Sequence, residues 1–293
     1  MKVLITGANG QLGWELQRAR PNGFEIIALD IQEMDITDSP AVATVIQEYQ
    51  PDLIINTAAY TAVDKAEEDK DKAFAINANG AAYIAKAAQG CRARLIHIST
   101  DFVFDGTKSQ PYRPGDRTNP ISVYGASKLQ GELDVLAKTM NSALILRTGW
   151  LYSVHGSNFV KTMLKLMAEK EELRVIADQT GTPTWAGDFA RAIYRFADIP
   201  DIKGIYHWAD AGTASWFDFA VAIQEEAFKL GLLKIRIPVK PIRTEEYPTP
   251  AKRPAYSVLD KSSTWKTLGY KASHWRDSLR RMLEELKEVR SEV

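Results

Sequence analysis

The segment Lys2-Val-Leu-Ile-Thr-Gly-Ala-Asn-Gly-Gln-Leu-Gly13 constrains the fold of this chain more than any other. A run of β-branched residues and leucine opens onto Gly7, Gly10 and Gly13, and the amphipathic stretch Gln11 to Arg20 follows directly. This order predicts a strand, a tight glycine turn and a helix N-terminus. Free amides and the positive end of the helix dipole then face whatever lies over the turn, which suits a pyrophosphate. Phe24-Glu-Ile-Ile-Ala-Leu29 reads as a second buried strand. It ends on Asp30, roughly 20 residues beyond the glycines, where an acidic side chain accepts hydrogen bonds from an adenosine ribose.

The first half continues with alternating elements. Strands are expected at 2–6, 24–29, 52–56, 94–99 and 143–148, with helices at 11–20, 39–49, 71–90 and 122–140. That alternation predicts an α/β chain with a Rossmann-type doubly wound parallel sheet over residues 1–150. Asp52-Leu-Ile-Ile-Asn56 is nearly continuous in apolar residues, as a strand covered on both faces should be. Beyond residue 150 the regularity weakens, and Trp185, Trp208, Trp216, Trp265 and Trp275 cluster with several prolines. Residues 151–293 are expected to form a smaller C-terminal substrate-binding lobe, partly interleaved with the sheet. Trp275, Leu279, Leu283 and Leu286 recur at helical spacing and predict a packed surface helix over 273–290.

Composition narrows the function. A chain of 293 residues with 45% apolar content buries a sizeable core. Its 37 basic and 37 acidic residues cancel, so no overall field favours nucleic acid or an anionic membrane. No apolar run approaches the roughly 20 residues of a spanning helix, and the first strand begins with no signal peptide before it, so a cytoplasmic location is expected. Cys91 stands alone, which excludes an internal disulfide and predicts helix-end packing.

The chemistry-bearing residues lie at the fourth strand and the helix after it. Leu95-Ile-His-Ile-Ser-Thr-Asp101 ends in hydroxyls, and Tyr124-Gly-Ala-Ser-Lys128 opens a helix. Tyr124 and Lys128 are four apart and share one helical face. An ammonium near a phenol favours the ionised form and is expected to lower the tyrosine pKa. A hydroxyl from Thr100 or Ser99 would hold a substrate oxygen while Tyr124 exchanges a proton with it and a nicotinamide carries hydride.

Together with the glycine spacing G-x-x-G-x-x-G, these residues resemble the extended short-chain dehydrogenases/reductases, and among them the dTDP-4-dehydrorhamnose reductase family. The similar stretches run in family order: Thr6 to Gly13, Asn56-Thr-Ala-Ala-Tyr-Thr-Ala-Val-Asp-Lys-Ala-Glu67, Ser99-Thr-Asp-Phe-Val-Phe-Asp-Gly106, Val123 to Lys128, Arg147-Thr-Gly-Trp-Leu-Tyr152 and Arg253-Pro-Ala-Tyr-Ser-Val-Leu259. The second and last are the most particular to this family. The resemblance implies reduction of a C4 keto group on a dTDP-linked sugar by NADPH or NADH. Tyr124 would be the proton donor, Lys128 its partner on the nicotinamide ribose, and Thr100 the binder of the C4 oxygen. Gly7, Gly10, Gln11, Leu12 and Gly13 would serve the pyrophosphate, Asp30 the ribose, Asp35 and Ile36 the adenine, and Ala58, Ala59 and Tyr60 the middle of the cofactor. Asp101, Trp150 and Arg253 would meet the substrate, Arg253 at its diphosphate, the alternative being a surface salt bridge.

Related 4,6-dehydratases need an Asp-Glu pair after the strand-end threonine, whereas here Phe102 follows Asp101. Tyr256 stands where the family usually has asparagine. Some members form dimers bridged by magnesium through acidic clusters. Glu15 suits that role, but Gly187-Asp188 matches imperfectly, so both monomer and homodimer stay open. Another nucleotide-linked 4-keto sugar, or a non-catalytic dinucleotide-binding regulatory role, is the alternative reading. The Thr100, Tyr124 and Lys128 set argues against the latter.

Overall fold

A computed structural model describes residues 1–291. The first half follows the expected alternation: β1 (Lys2–Thr6), α1 (Gln11–Arg18), β2 (Glu25–Leu29), α2 (Ser39–Tyr49), β3 (Leu53–Asn56), α3 (Lys70–Phe74), α4 (Ala81–Cys91), β4 (Arg94–Thr100), α5 (Val123–Lys138) and β5 (Leu144–Thr148). The second half adds β6 (Leu151–Tyr152), α6 (Phe159–Glu169), β7 (Leu173–Ile176), β8 (Thr180–Gly181), β9 (Thr184–Trp185), α7 (Ala186–Ala197) and β10 (Gly204–His207). It ends with β11 (Ala214–Ser215), α8 (Trp216–Lys229), β12 (Val239–Ile242), α9 (Ser262–Leu268) and α10 (Trp275–Ser291).

One six-stranded parallel sheet organises the molecule, in the order β2-β1-β3-β4-β5-β10. Alternation along β1 shows why it lies between two helical layers. Val3 and Ile5 pack with Leu12 and Leu16 of α1 and Phe189 and Ile193 of α7, whereas Leu4 packs with Val42 and Ile46 of α2 and Ile84 of α4. Each of these fully buried side chains contributes roughly 1.5–3 kcal/mol by leaving water. Strand order reverses between β1 and β3, so their carboxyl ends open a crevice where ligands collect in such sheets.

A separate aromatic and aliphatic core joins Val160 and Leu164 of α6, Phe219 and Ile223 of α8, and Trp275, Leu279 and Leu283 of α10. The C-terminal helix thus buries the stripe its spacing predicted. β10 and α7, although encoded after residue 150, complete the sheet and one of its helical layers. The single helix expected over 71–90 is instead α3 and α4 joined by a π-helical turn, Ala75–Gly80. Cys91 ends α4 half-buried. Among the described residues no helix is long and apolar enough to cross a membrane.

Candidate active site

The glycine turn is built by exclusion. Gly7 has φ +67°, and a Cβ there would lie 2.7 Å from the Ala58 Cα, so this residue must lack a side chain for the β3 loop to close onto the turn. A Cβ on Gly13 would fall 2.3 Å from the Gly7 carbonyl oxygen, which lets α1 start directly against β1. Gly10 caps α1 without a side-chain bond to the first-turn amides, so these remain available for an anion. Asp30 at the end of β2 accepts a hydrogen bond from the Asn9 amide at 2.8 Å and so joins the end of β2 to the glycine turn.

A cavity of about 900 Å³ runs along the carboxyl ends of the strands. Its wall holds Asp30, Asp35 and Ile36 at one end, Gly7, Gly10, Gln11, Leu12, Ala58 and Ala59 in the middle, and Thr100, Asp101, Tyr124, Lys128, Trp150 and Arg253 at the other. A cradle that a Cβ would fill, an uncapped helix N-terminus and a strand-end carboxylate together fit a dinucleotide. Gly13 stays behind the turn as a packing residue. Tyr60 is not part of the wall: its amide donates to Asn77 Oδ1 at 2.8 Å and its phenol to Asp69 Oδ2 at 2.9 Å.

Two asparagines that sequence reasoning did not single out hold this crevice open. Buried Asn56 accepts from the Thr6 hydroxyl at 2.7 Å and the Ala58 amide at 3.2 Å, and its Nδ2 meets His97 Nδ1 at 3.0 Å. Burial and the Lys128 charge hold the His97 pKa well below its ordinary value, so the ring is neutral and its Nδ1 accepts. Asn77, in the π-helical turn, also donates to the Ser127 hydroxyl at 3.0 Å and ties the Ala59–Tyr60 loop to α5. The sequence signal for both was a buried amide at the edge of a small-residue stretch.

At the end of the cavity that holds Tyr124 and Lys128, Ser122 caps α5, and Gly125 brings that helix so close to the Phe102 carbonyl that a Cβ would sit 2.3 Å from it. The two strand-end hydroxyls differ in their partners. Ser99 is buried and donates to Glu132, which forms a doubly hydrogen-bonded pair with Arg147 at 2.8 and 2.6 Å. Thr100 stays at the cavity wall beside Tyr124: its hydroxyl accepts the Phe102 amide at 3.2 Å and donates to Asp101 Oδ1 at 3.1 Å. Desolvation pushes the Tyr124 phenol up to about 12, partly offset by Thr100. The expected lowering by Lys128 does not occur in this arrangement, because the ammonium donates to the Ile98 carbonyl at 2.7 Å and burial brings its own pKa down to about 8. The phenol is therefore protonated at neutral pH, as a proton donor must be.

Beyond Tyr124 the wall becomes aromatic. Trp150, at the strained φ of +51°, stacks on Trp216 with ring centroids 3.5 Å apart, and a Cβ at Gly181 would lie 2.5 Å from its indole. Asp101 is buried against Gly149, and desolvation raises its pKa to about 6. Arg253 makes a bidentate pair with Asp64 at 3.0 and 2.7 Å, so the salt-bridge alternative is realised while the side chain still reaches the cavity wall.

The family described as RmlD substrate binding domain matches residues 1–288. The chain belongs to that family. A spore coat polysaccharide biosynthesis protein, SpsK, of Bacillus subtilis is 44% identical, the match covering 97% of each chain. A dTDP-4-dehydrorhamnose reductase of Aggregatibacter actinomycetemcomitans is 43% identical, with 95% of this chain and 97% of that protein covered. The crystal structure of a dTDP-4-dehydrorhamnose reductase from Bacillus anthracis in complex with NADP superimposes with a TM-score of 0.91 at 40% identity, covering 97% of this chain and 99% of that one.

In this member of the RmlD family the motifs dock on one another. A Cβ at Gly106 would lie 2.7 Å from the backbone of Pro254 and Ala255, and Glu67 accepts from the Val123 amide of α5 at 2.9 Å. Tyr256 packs against the cluster of Val103, Phe104, Tyr112 and Leu259 and is not part of the cavity wall. Glu15 accepts from Ser153 at 2.6 Å and from Arg18, while Asp188 is held by Arg191 and Arg281. No group of three or more His, Cys, Asp or Glu side chains able to hold a metal exists among the described residues, and the magnesium expectation finds no support there.

Proposed function

We propose that the chain is a nicotinamide-dependent oxidoreductase that reduces the C4 keto group of dTDP-4-dehydro-β-L-rhamnose to give dTDP-β-L-rhamnose, the last step of dTDP-L-rhamnose formation. The observation that carries this reading is the meeting of Thr100, Tyr124 and Lys128 at one end of a cavity that holds the glycine turn in its middle and Asp30 at its other end. Gly10, Gln11 and Leu12 would hold the pyrophosphate, Asp30 the adenosine ribose, Asp35 and Ile36 the adenine, and Ala58 and Ala59 the central segment. When bound, the reduced nicotinamide supplies hydride to C4.

Thr100 orients the C4 oxygen, and Tyr124 gives it a proton. Lys128, held by the Ile98 carbonyl, lines the same end of the cavity as Tyr124 and would hold the nicotinamide ribose. Trp150 lines the sugar pocket, and Arg253 meets the diphosphate. The second half of the chain provides most of the sugar side, and the enzyme acts in the cytoplasm, as a monomer or homodimer. Both NADH and NADPH serve as reductants. Asp30 disfavours a 2′-phosphate and sets the preference toward NADH.

The test is nicotinamide oxidation at 340 nm with dTDP-4-dehydro-L-rhamnose, with the product identified by mass spectrometry and kcat/KM compared for the two cofactors. Turnover to dTDP-L-rhamnose is expected. Cofactor binding without turnover would redirect the reading to another 4-keto sugar. A preference for NADPH of several orders of magnitude would overturn the role given to Asp30.

A further inference from the structure

Among the residues that line the cavity, Lys128 and Arg253 are the cations, and Lys128 is committed to the Ile98 carbonyl. Arg253 is held at one edge. Its Nη1 donates to Asp64 Oδ1 at 3.0 Å, to the Thr249 hydroxyl at 2.6 Å and to the Ala251 carbonyl at 3.0 Å, and its Nη2 donates to Asp64 Oδ2 at 2.7 Å. A guanidinium carries five N–H groups in a fixed plane. With the Nη1–Nη2 edge on Asp64, the parallel donors of the Nε–Nη2 edge are left over by these contacts, and that edge matches two phosphate oxygens.

Asp64 is itself fixed. It accepts the Ala251 amide at 3.2 Å, and the Arg253 guanidinium holds its carboxyl below the usual range. Asp64 also begins the short 3₁₀ turn Lys65–Glu67, whose Glu67 accepts the Val123 amide at the start of the helix that carries Tyr124. The same turn thus ties the arginine at one end to the catalytic helix at the other.

We infer that Asp64 is a positioning residue for diphosphate recognition: it fixes Arg253 by one edge so that the other edge meets the substrate's phosphates in register with Tyr124. This rests on the reading of Arg253 as the diphosphate contact. Asp64 is then a helper and not a competitor of the phosphate, because the two anions use different edges of one cation.

The experiment measures the competitive inhibition constant of free dTDP in Arg253→Gln, Asp64→Ala, Asp64→Asn and the Asp64→Ala/Arg253→Gln double variant, with KM for NADH and Tm recorded for each. Arg253→Gln should weaken dTDP by about tenfold or more, as loss of a charge-assisted bidentate contact does. Asp64→Ala should weaken it by roughly three- to tenfold with KM for NADH unchanged, Asp64→Asn by less, and the double variant no more than Arg253→Gln alone. If Arg253→Gln weakens dTDP but both Asp64 variants leave it unchanged or tighter, the positioning role is refuted while the arginine contact stands. If Arg253→Gln has no effect on dTDP, the diphosphate contact fails and the inference falls with it. If Asp64→Ala lowers Tm and raises KM for NADH in parallel with the dTDP constant, its role is structural only and the inference is overturned.

Discussion

Replacing Glu132 by glutamine probes the support beneath the catalytic end most directly. The Glu132 and Arg147 side chains are 1% and 3% exposed, and two hydrogen bonds join them. The Ser99 hydroxyl also donates to Glu132, and Arg147 continues to the Pro114 carbonyl at 3.2 Å with its guanidinium 5.1 Å from the Phe104 ring. Glutamine keeps the shape but leaves the arginine charge buried without its counter-charge. Breaking one side of a buried pair costs about 3–5 kcal/mol. With an unfolding entropy of about 2.1 cal/mol/K per residue, a chain of 293 residues loses about 5–8 °C in Tm. Glu132 also raises the Lys128 pKa against the stronger effect of burial. Its loss should carry that pKa below about 8 and move the alkaline limb of the kcat profile toward neutrality. Differential scanning fluorimetry and a pH–rate series read the two effects separately. Replacing both partners by leucine should recover much of the lost Tm, since no buried charge then remains. A Tm for Glu132→Gln within a degree or so of the parent would refute the reasoning, as would a double variant that costs as much as the two single changes summed.

Tyr124→Phe should lower kcat by roughly two to four orders of magnitude with cofactor affinity nearly intact, and strong residual turnover in steady-state assays would remove Tyr124 as proton donor. Asp101 keeps its proton in the folded state up to about pH 6, whereas its ordinary value is 3.8. The folded state therefore binds more protons between these values, and stability contributed by this group falls as pH rises through that window. Asp101→Asn should become more stable relative to the parent from pH 4 to pH 7, by at most roughly 3 kcal/mol, and urea titrations showing parallel pH slopes would contradict this. Gly13→Ala forces a methyl group to within 2.3 Å of the Gly7 carbonyl, which should cost about 1–3 kcal/mol and weaken NADH binding in fluorescence titration; unchanged affinity would mean the turn is more yielding than its contacts imply.

The cofactor half of the fold was readable because its signals are local. A strand covered on both faces needs an apolar run, and β1, β3 and β5 carry Val3–Ile5, Leu53–Ile55 and Leu144–Leu146; the spacing of Gly7, Gly10 and Gly13 directly after β1 marks the turn, and a Cβ at Gly7 or Gly13 would strike backbone. What the sequence hid depends on distant partners. β10, Gly-Ile-Tyr-His, is too short and mixed to announce a strand and is one only because β5 lies beside it. The π-helical turn keeps a helical pattern while it re-aims Asn77 at the Tyr60 backbone. The four-residue spacing of Tyr124 and Lys128 on one helix is legible in the sequence, but the electrostatics of the pair are not, because the Ile98 carbonyl that holds Lys128 is a backbone group without a residue signature. Trp216 was legible as part of an aromatic-rich half but not as the ring stacked on Trp150.

The late arrival of β10 shapes how the chain is made. During synthesis β5, Leu144–Thr148, with all five residues buried in the finished molecule, emerges long before its outer neighbour Gly204–His207. The 55 residues between them take about 3–11 s to add at about 5–20 residues per second. For that interval the nascent sheet carries an open, apolar edge able to pair with another strand, on the same chain or on a neighbouring ribosome. The segment between β5 and β10, part of which lines the cavity, is thus also what must be finished before the six-stranded sheet can be sealed, and chaperone demand should concentrate in that interval.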